Sequence, residues 1–165
     1  MESKAQDIAG LTVGLSKLGL SGITGGAITY AFTAVRPYVI NGKVYSITGG
    51  TTFPVVDANT GVNFVGLTKA NTGTVFVLGG SSATTTDVVA VQGSVETLDA
   101  HGNFYFAPKF PQLPSDFCPL AYIIAKAGST FVAASFQPGT DNWNTTGMTY
   151  ATQDIVALPD RAQVA

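Results

Sequence analysis

The apolar positions of this 165-residue chain change their period along its length. Near the start they recur at spacings of three, four and three, which places them on one face of a helix. From residue 27 onward they alternate with polar or small residues, as in a half-buried strand. The pattern therefore predicts a short N-terminal helix followed by a mainly β body. The apolar stripe of that helix consists of Ile8, Leu11, Leu15 and Leu18.

A helix with so short a stripe is not stable on its own, so it has to dock. It can pack on the body of the same chain, on further copies of the chain or on another protein, and the sequence leaves these alternatives open. A Gly-rich stretch over residues 21–26 follows it and is typical of a connector. We predict a docking or oligomerising helix and hinge over residues 1–26, an all-β body over 27–161 and a tail over 162–165.

Turn signals divide the body into short strands. Asn41-Gly42 lies between two apolar runs and tolerates positive φ at both positions, so it predicts a tight hairpin. Residues 120–126 and 130–136 flank a small turn and predict a second hairpin. Regular strand spacing without long helical patterns predicts an antiparallel β-sandwich or a barrel-like body.

A proline-rich segment over residues 108–119 interrupts the rhythm of strands. Its four prolines remove backbone donors and favour an extended conformation. Phe110, Leu113 and Phe117 lie within it and are apolar enough to pack on a core. We therefore predict an ordered arm that crosses between sheets or runs along an edge.

The low proportion of charged residues limits the classes of partner that the chain can bind. Only 11% of the residues are charged, with 8 Lys and Arg against 10 Asp and Glu, whereas an ordinary globular protein has roughly 25%. The basic residues are scattered singly, so neither nucleic-acid binding nor attachment to anionic lipid is expected. The apolar window 18–35 is too rich in Gly, Ser and Thr to predict a membrane span, and no signal peptide is visible at the start. We expect synthesis in the cytoplasm.

The residue types that carry chemistry are sparse. His101 is the single histidine and lies in a turn sequence, and Cys118, the single cysteine, lies between Phe and Pro, which suggests a buried thiol. The segment 57–61 has oxygen-bearing residues at alternate positions but lacks the later Glu of a calcium loop, so an Asx-stabilised turn is expected. We predict no catalytic residue, no metal site and no cofactor, and hence a protein that is not an enzyme. A site assembled between subunits is the remaining enzymatic alternative.

One loop raises an alternative function. Trp143 lies between Asn142 and Asn144, and an exposed indole with amide neighbours can stack on a sugar ring. The same indole can instead fold back over the edge of the core. The loop therefore supports a glycan-binding, host-recognition module as the alternative to a structural protein.

A succession of short segments carries a resemblance to a known class of proteins. These segments are residues 41–45, 93–96, 110–114, 121–128, 142–144 and 158–161. In this order they resemble small structural proteins of tailed-bacteriophage virions, and the resemblance spans residues 35–161.

The resemblance implies a location in the virion and a non-enzymatic role as a capsid decoration or head-fibre protein, or as a tail-appendage subunit. It also implies homo-oligomers, with a trimer as the expected form, and contacts with the major capsid protein or other virion proteins. Low charge fits this expectation independently, because charges buried between identical neighbours are costly.

Overall fold

Two antiparallel sheets make up the fold. The computed structural model describes residues 11–19, 35–48, 53–84, 87–132, 135–155 and 158, and within these ranges no residue is helical. The prediction of a mainly β chain is therefore confirmed. The eight strands are β1 (Val13–Gly14), β2 (Arg36–Ile40), β3 (Lys43–Ile47), β4 (Thr72–Ser81), β5 (Val89–Gln92), β6 (Glu96–Thr97), β7 (Phe117–Ala127) and β8 (Met148–Asp154).

The first sheet has the order β1-β2-β3. Its β2–β3 hairpin turns at Asn41 and Gly42, which have φ of 51° and 76°, so the predicted tight hairpin is confirmed. Val39 lies opposite Val44 on β3 and opposite Val13 on β1. The three valines therefore form one row across the sheet.

The predicted N-terminal helix is wrong for residues 11–19, where the chain forms β1 against β2. A spacing of four residues fits one side of a strand as well as one side of a helix, because side chains alternate with period two in a strand. Leu11 and Leu15 accordingly share a side and are exposed, whereas Leu18, an odd number of residues away, is buried in the core. Ile8 and the proposed hinge at 21–26 lie outside the described residues.

The second sheet has the order β5-β4-β7-β8, with β6 also paired to β4. The predicted second hairpin is wrong, because β7 pairs with β4 and β8 and not with residues 130–136. After the turn at Gly128 the chain instead makes a long connection that buries Phe131, Phe136 and Trp143. Burial of these large rings outweighs the local preference for a tight hairpin.

The β4–β7 pair is buried on both faces. On the inner face Phe76 and Ile123 belong to the main core cluster, to which Tyr38 of the first sheet also contributes. On the outer face Val75 and Tyr122 form part of a smaller cluster. The first sheet thus covers one side of the pair, and other segments have to cover its opposite side.

The proline-rich segment is one of those segments. The Phe110 ring packs edge-on against Tyr122, with centroids 5.1 Å apart, and Leu113 packs on the cluster around Val77 and Val91. The predicted ordered arm is confirmed for residues 108–116, because Phe110 and Leu113 pack on this face, whereas residues 117–119 form the start of β7.

Tyr38 fastens the two sheets together. Its hydroxyl donates a hydrogen bond of 2.8 Å to the carbonyl oxygen of Ser81 on β4. Its ring lies directly against Gly80, where any Cβ would overlap the ring. Burial raises the pKa of Tyr38 to about 12, with smaller contributions from Cys118 and Tyr45.

The raised pKa of Tyr38 predicts that the folded protein loses stability in alkaline solution. Near pH 8, Tyr38→Phe should lower the free energy of unfolding by about 1–2 kcal/mol, because the buried Ser81 carbonyl loses its donor. Between pH 10 and pH 12 the unfolded chain releases the phenolic proton while the folded chain retains it, so the wild type loses stability that the Phe variant does not lose. Urea unfolding near pH 8 and near pH 11 should show the deficit shrinking. An unchanged deficit would contradict the prediction, and Tyr105→Phe, at an exposed ring, serves as the control.

Gly79 lies at the register shift between β4 and β7. A Cβ there would overlap the carbonyl oxygen of Cys118, which is backbone and has no room to move away. Gly79→Ala should therefore destabilise the fold by about 3 kcal/mol or more. Gly128→Ala is the matched control, since its new methyl meets only an ordinary contact at 3.4 Å. Thermal unfolding of both variants measures the difference, and equal melting temperatures would refute it.

Candidate interaction surface

The first sheet exposes an apolar face to solvent. Val13, Val39 and Val44 form its central row, and cross-strand partners in an antiparallel pair project to the same side. Leu11 and Leu15 flank Val13 at two residues on either side. Leu11, Leu15 and Val44 are 42%, 54% and 62% exposed, whereas Val13 is half-buried and Val39, at the centre of the row, is only 6% exposed. We call these five residues the outer face.

The backbone holds the outer face in place. The N–H of Gly42 donates to the carbonyl of Leu11 at 3.0 Å, and the N–H of Leu15 donates to the carbonyl of Pro37 at 3.1 Å. The segment before and after β1 is thus tied to the hairpin over its length. All five side chains are aliphatic, so the face offers another molecule apolar area without a charge to desolvate.

Burial of this face would be favourable. Fully burying one Val or Leu side chain contributes about 1.5–3 kcal/mol. Contiguous exposed apolar residues in a soluble protein mark sites of association. Leu11 and Leu15 were predicted to dock, and the structure places them on the same side of the first sheet as Val44, which the helical interpretation of the sequence had missed. The alternation Leu11-Val13-Leu15 was the available signal for a strand.

A second exposed apolar feature lies after the turn at residues 99–103. Phe104 bridges to Leu98 and is partly buried, but Tyr105 and Phe106 project into solvent. The pattern of apolar positions in the sequence did not single out this pair. Tyr105 is 68% exposed and Phe106 80%.

Trp143 is completely buried. Its ring packs edge-on against Phe53, Phe136 and Tyr150, with centroids 5.0–5.8 Å apart. Asn142 and Asn144 beside it are exposed. No face of the indole is open to a sugar in this structure, so the arrangement matches the alternative in which the ring covers the core.

The other residues that the sequence offered for chemistry are Asp57, Cys118 and His101. The Asp57 carboxylate accepts the N–H groups of Asn59 and Thr60 at 2.9 Å and of Gln92 at 2.7 Å, as expected for an Asx turn. Cys118 is buried, and burial raises the pKa of its thiol to about 11. His101 is exposed in its turn.

Neither a metal centre nor a membrane-crossing helix is found within the ranges that the structure describes. No three His, Cys, Asp or Glu side chains come together there in a way that could hold a metal ion. No helix there is long and apolar enough to cross a bilayer.

Comparison with known proteins leaves the surface without a precedent. No protein-family model matches the chain, and neither curated proteins nor solved structures give a match.

The buried position of Trp143 predicts its fluorescence. As the single tryptophan of the chain, it should emit at the short wavelengths of an apolar environment. Iodide should quench it weakly in the folded protein and strongly in urea. Strong iodide quenching of the folded protein would show that the indole is accessible and would restore the sugar-stacking interpretation.

Proposed function

We propose that this chain is a non-enzymatic structural protein of a bacteriophage virion, a capsid decoration or head-fibre protein. It self-associates, with a trimer as the expected form, and docks on the major capsid protein or another virion protein. The observation that carries the proposal is the outer face, because three of its five aliphatic side chains, those of Leu11, Leu15 and Val44, are exposed on one side of the first sheet and are suited to burial against protein. The resemblance over residues 35–161 supplies the class of particle.

The chemistry of the face favours protein over other partners. An uncharged aliphatic surface neither neutralises phosphates nor hydrogen-bonds to sugar hydroxyls. The fixed strands lose little conformational freedom when they associate, which favours a stable interface. The protein acts by burying apolar area, without turnover.

We further propose that the body is a β-sandwich. Both sheets contribute to one core cluster, with Tyr38, Ile40 and Ile47 from the first sheet and Phe76 and Ile123 from the second. Side chains from two facing sheets that share a core are typical of a sandwich. This arrangement leaves the opposite side of the first sheet for docking.

The mass in solution tests self-association. Light scattering of the full chain at several concentrations should give about three times 17.0 kDa for a trimer. Val44→Lys should reduce the mass to that of a monomer, because a lysine on the outer face would have to be buried without a partner. Val44 is exposed in the single chain, so the variant should fold normally.

Val132→Lys is the matched control. Val132 is also an exposed valine, at 83%, but it lies outside the outer face. The control should keep the mass of the wild type. A wild type that stays monomeric at all concentrations, or two variants that lower the mass equally, would refute association through the outer face.

A further inference from the structure

A polar bowl lies at the end of the second sheet, separate from the outer face. It has a volume of about 360 Å³ and is lined by the turn around His101, by Lys126 at the end of β7, and by the turn at Ser129 and Thr130. Thr149 of β8 completes it. Small-molecule pockets are typically about 300–1,000 Å³, so one sugar ring fits.

The register of β7 and β8 places Lys126 and Thr149 side by side. Lys126 on β7 pairs with Thr149 on β8, so their side chains project to the same face of the sheet. Gly128 and Gly147 line the bowl beside them, joined by a hydrogen bond of 2.8 Å from the N–H of Gly128 to the carbonyl of Gly147. A Cβ at Gly147 would overlap the backbone of Thr130 and Phe131, so the close packing of this wall of the bowl requires a glycine there.

Lys126 supplies the positive charge. Its ammonium lies 5.5 Å from the centre of the Phe104 ring, and no carboxylate among the described residues forms an ion pair with it. Glu96 lies on the same face, across Gly73 from Lys126, but the Phe104 ring covers Gly73 and stands between them. The cation is therefore available to a ligand.

The other carboxylate near the bowl, that of Asp99, already accepts hydrogen bonds from the backbone. Asp99 accepts the backbone N–H groups of His101 and Asn103, each at 2.8 Å. These bonds, that of Asn103 first, lower the pKa of Asp99. Its oxygens organise the turn that presents the imidazole of His101 to the bowl. The hydroxyls of Ser129, Thr130 and Thr149 add neutral donors and acceptors.

We propose that this bowl binds an acidic saccharide, with Lys126 pairing with its carboxylate, sulfate or phosphate group. The hydroxyls of Ser129, Thr130 and Thr149 and the imidazole of His101 hydrogen-bond to the sugar. A bare oxyanion would satisfy the lysine and leave most of the bowl and its hydroxyls unused. This inference is independent of the outer face, so self-association and saccharide binding stand or fall separately.

The test is NMR titration of the full chain with 3′-sialyllactose, a sulfated heparin disaccharide and glucose 6-phosphate, with lactose and sodium sulfate as comparison ligands. At least one acidic saccharide should shift the amide signals of residues 126–130 and 149. Lactose should bind about tenfold more weakly, because it lacks the charge that pairs with Lys126.

Two variants assign the binding to the bowl. Lys126→Gln should weaken the affinity for the acidic saccharide by about tenfold, and Thr149→Val should weaken it to a smaller extent. Lys109→Gln removes the same charge from an exposed position outside the bowl and should bind like the wild type. Chemical shifts far from the bowl confirm that each variant remains folded.

Three results would overturn the proposal. One is the absence of any shift at residues 126–130 and 149 with all three acidic saccharides at millimolar concentration. Another is equal weakening by Lys126→Gln and Lys109→Gln. The third is sulfate binding as tightly as the best saccharide, which would show a site for a free anion.

Discussion

The antiparallel pairing of β4 with β7 is the constraint on which the rest of the structure depends. The two strands, Thr72–Ser81 and Phe117–Ala127, are almost entirely buried, so both of their faces need a cover. The first sheet covers one face through Tyr38, whose ring requires a glycine at position 80. The proline-rich arm and the Phe104 turn cover the other. The apolar area that each surrounding element buries against this pair thus holds that element in position.

The need to cover both faces of the β4–β7 pair in a short chain affects which apolar residues remain at the surface. Only the inner side of the first sheet reaches the main core, and Leu11, Leu15 and Val44 on its outer side are exposed. A chain with 11% charged residues has few ionic groups to place there. The outer face therefore follows from the architecture together with the composition, and the proposed association would bury it.

The sequence predicted those features that local geometry determines. The Asn41-Gly42 hairpin follows from positive φ at two consecutive residues, and the ordered arm follows from prolines interleaved with aromatic residues. The N-terminal stripe was ambiguous, because the spacing of four between Leu11 and Leu15 suits a strand and a helix equally. The pairing of β1 with β2 is a tertiary contact that decides between them. The location of Trp143 depends on Phe53 and Phe76, which are distant in sequence, and the polar bowl depends on the register of β7 and β8. No local pattern specifies either.

The two proposed surfaces lie toward opposite ends of the β4–β7 pair. Tyr38 fastens the first sheet at Gly80 and Ser81, whereas Lys126 lies opposite Gly73. Gly73 and Gly80 are seven positions apart along β4, which corresponds to roughly 23 Å at about 3.3 Å per residue. A molecule that docks through the outer face would thus keep the bowl away from the surface to which it is attached. Rigid pairing between the two ends would hold the bowl at a fixed distance, so an attached protein of this design could present a saccharide site without any movement of its core.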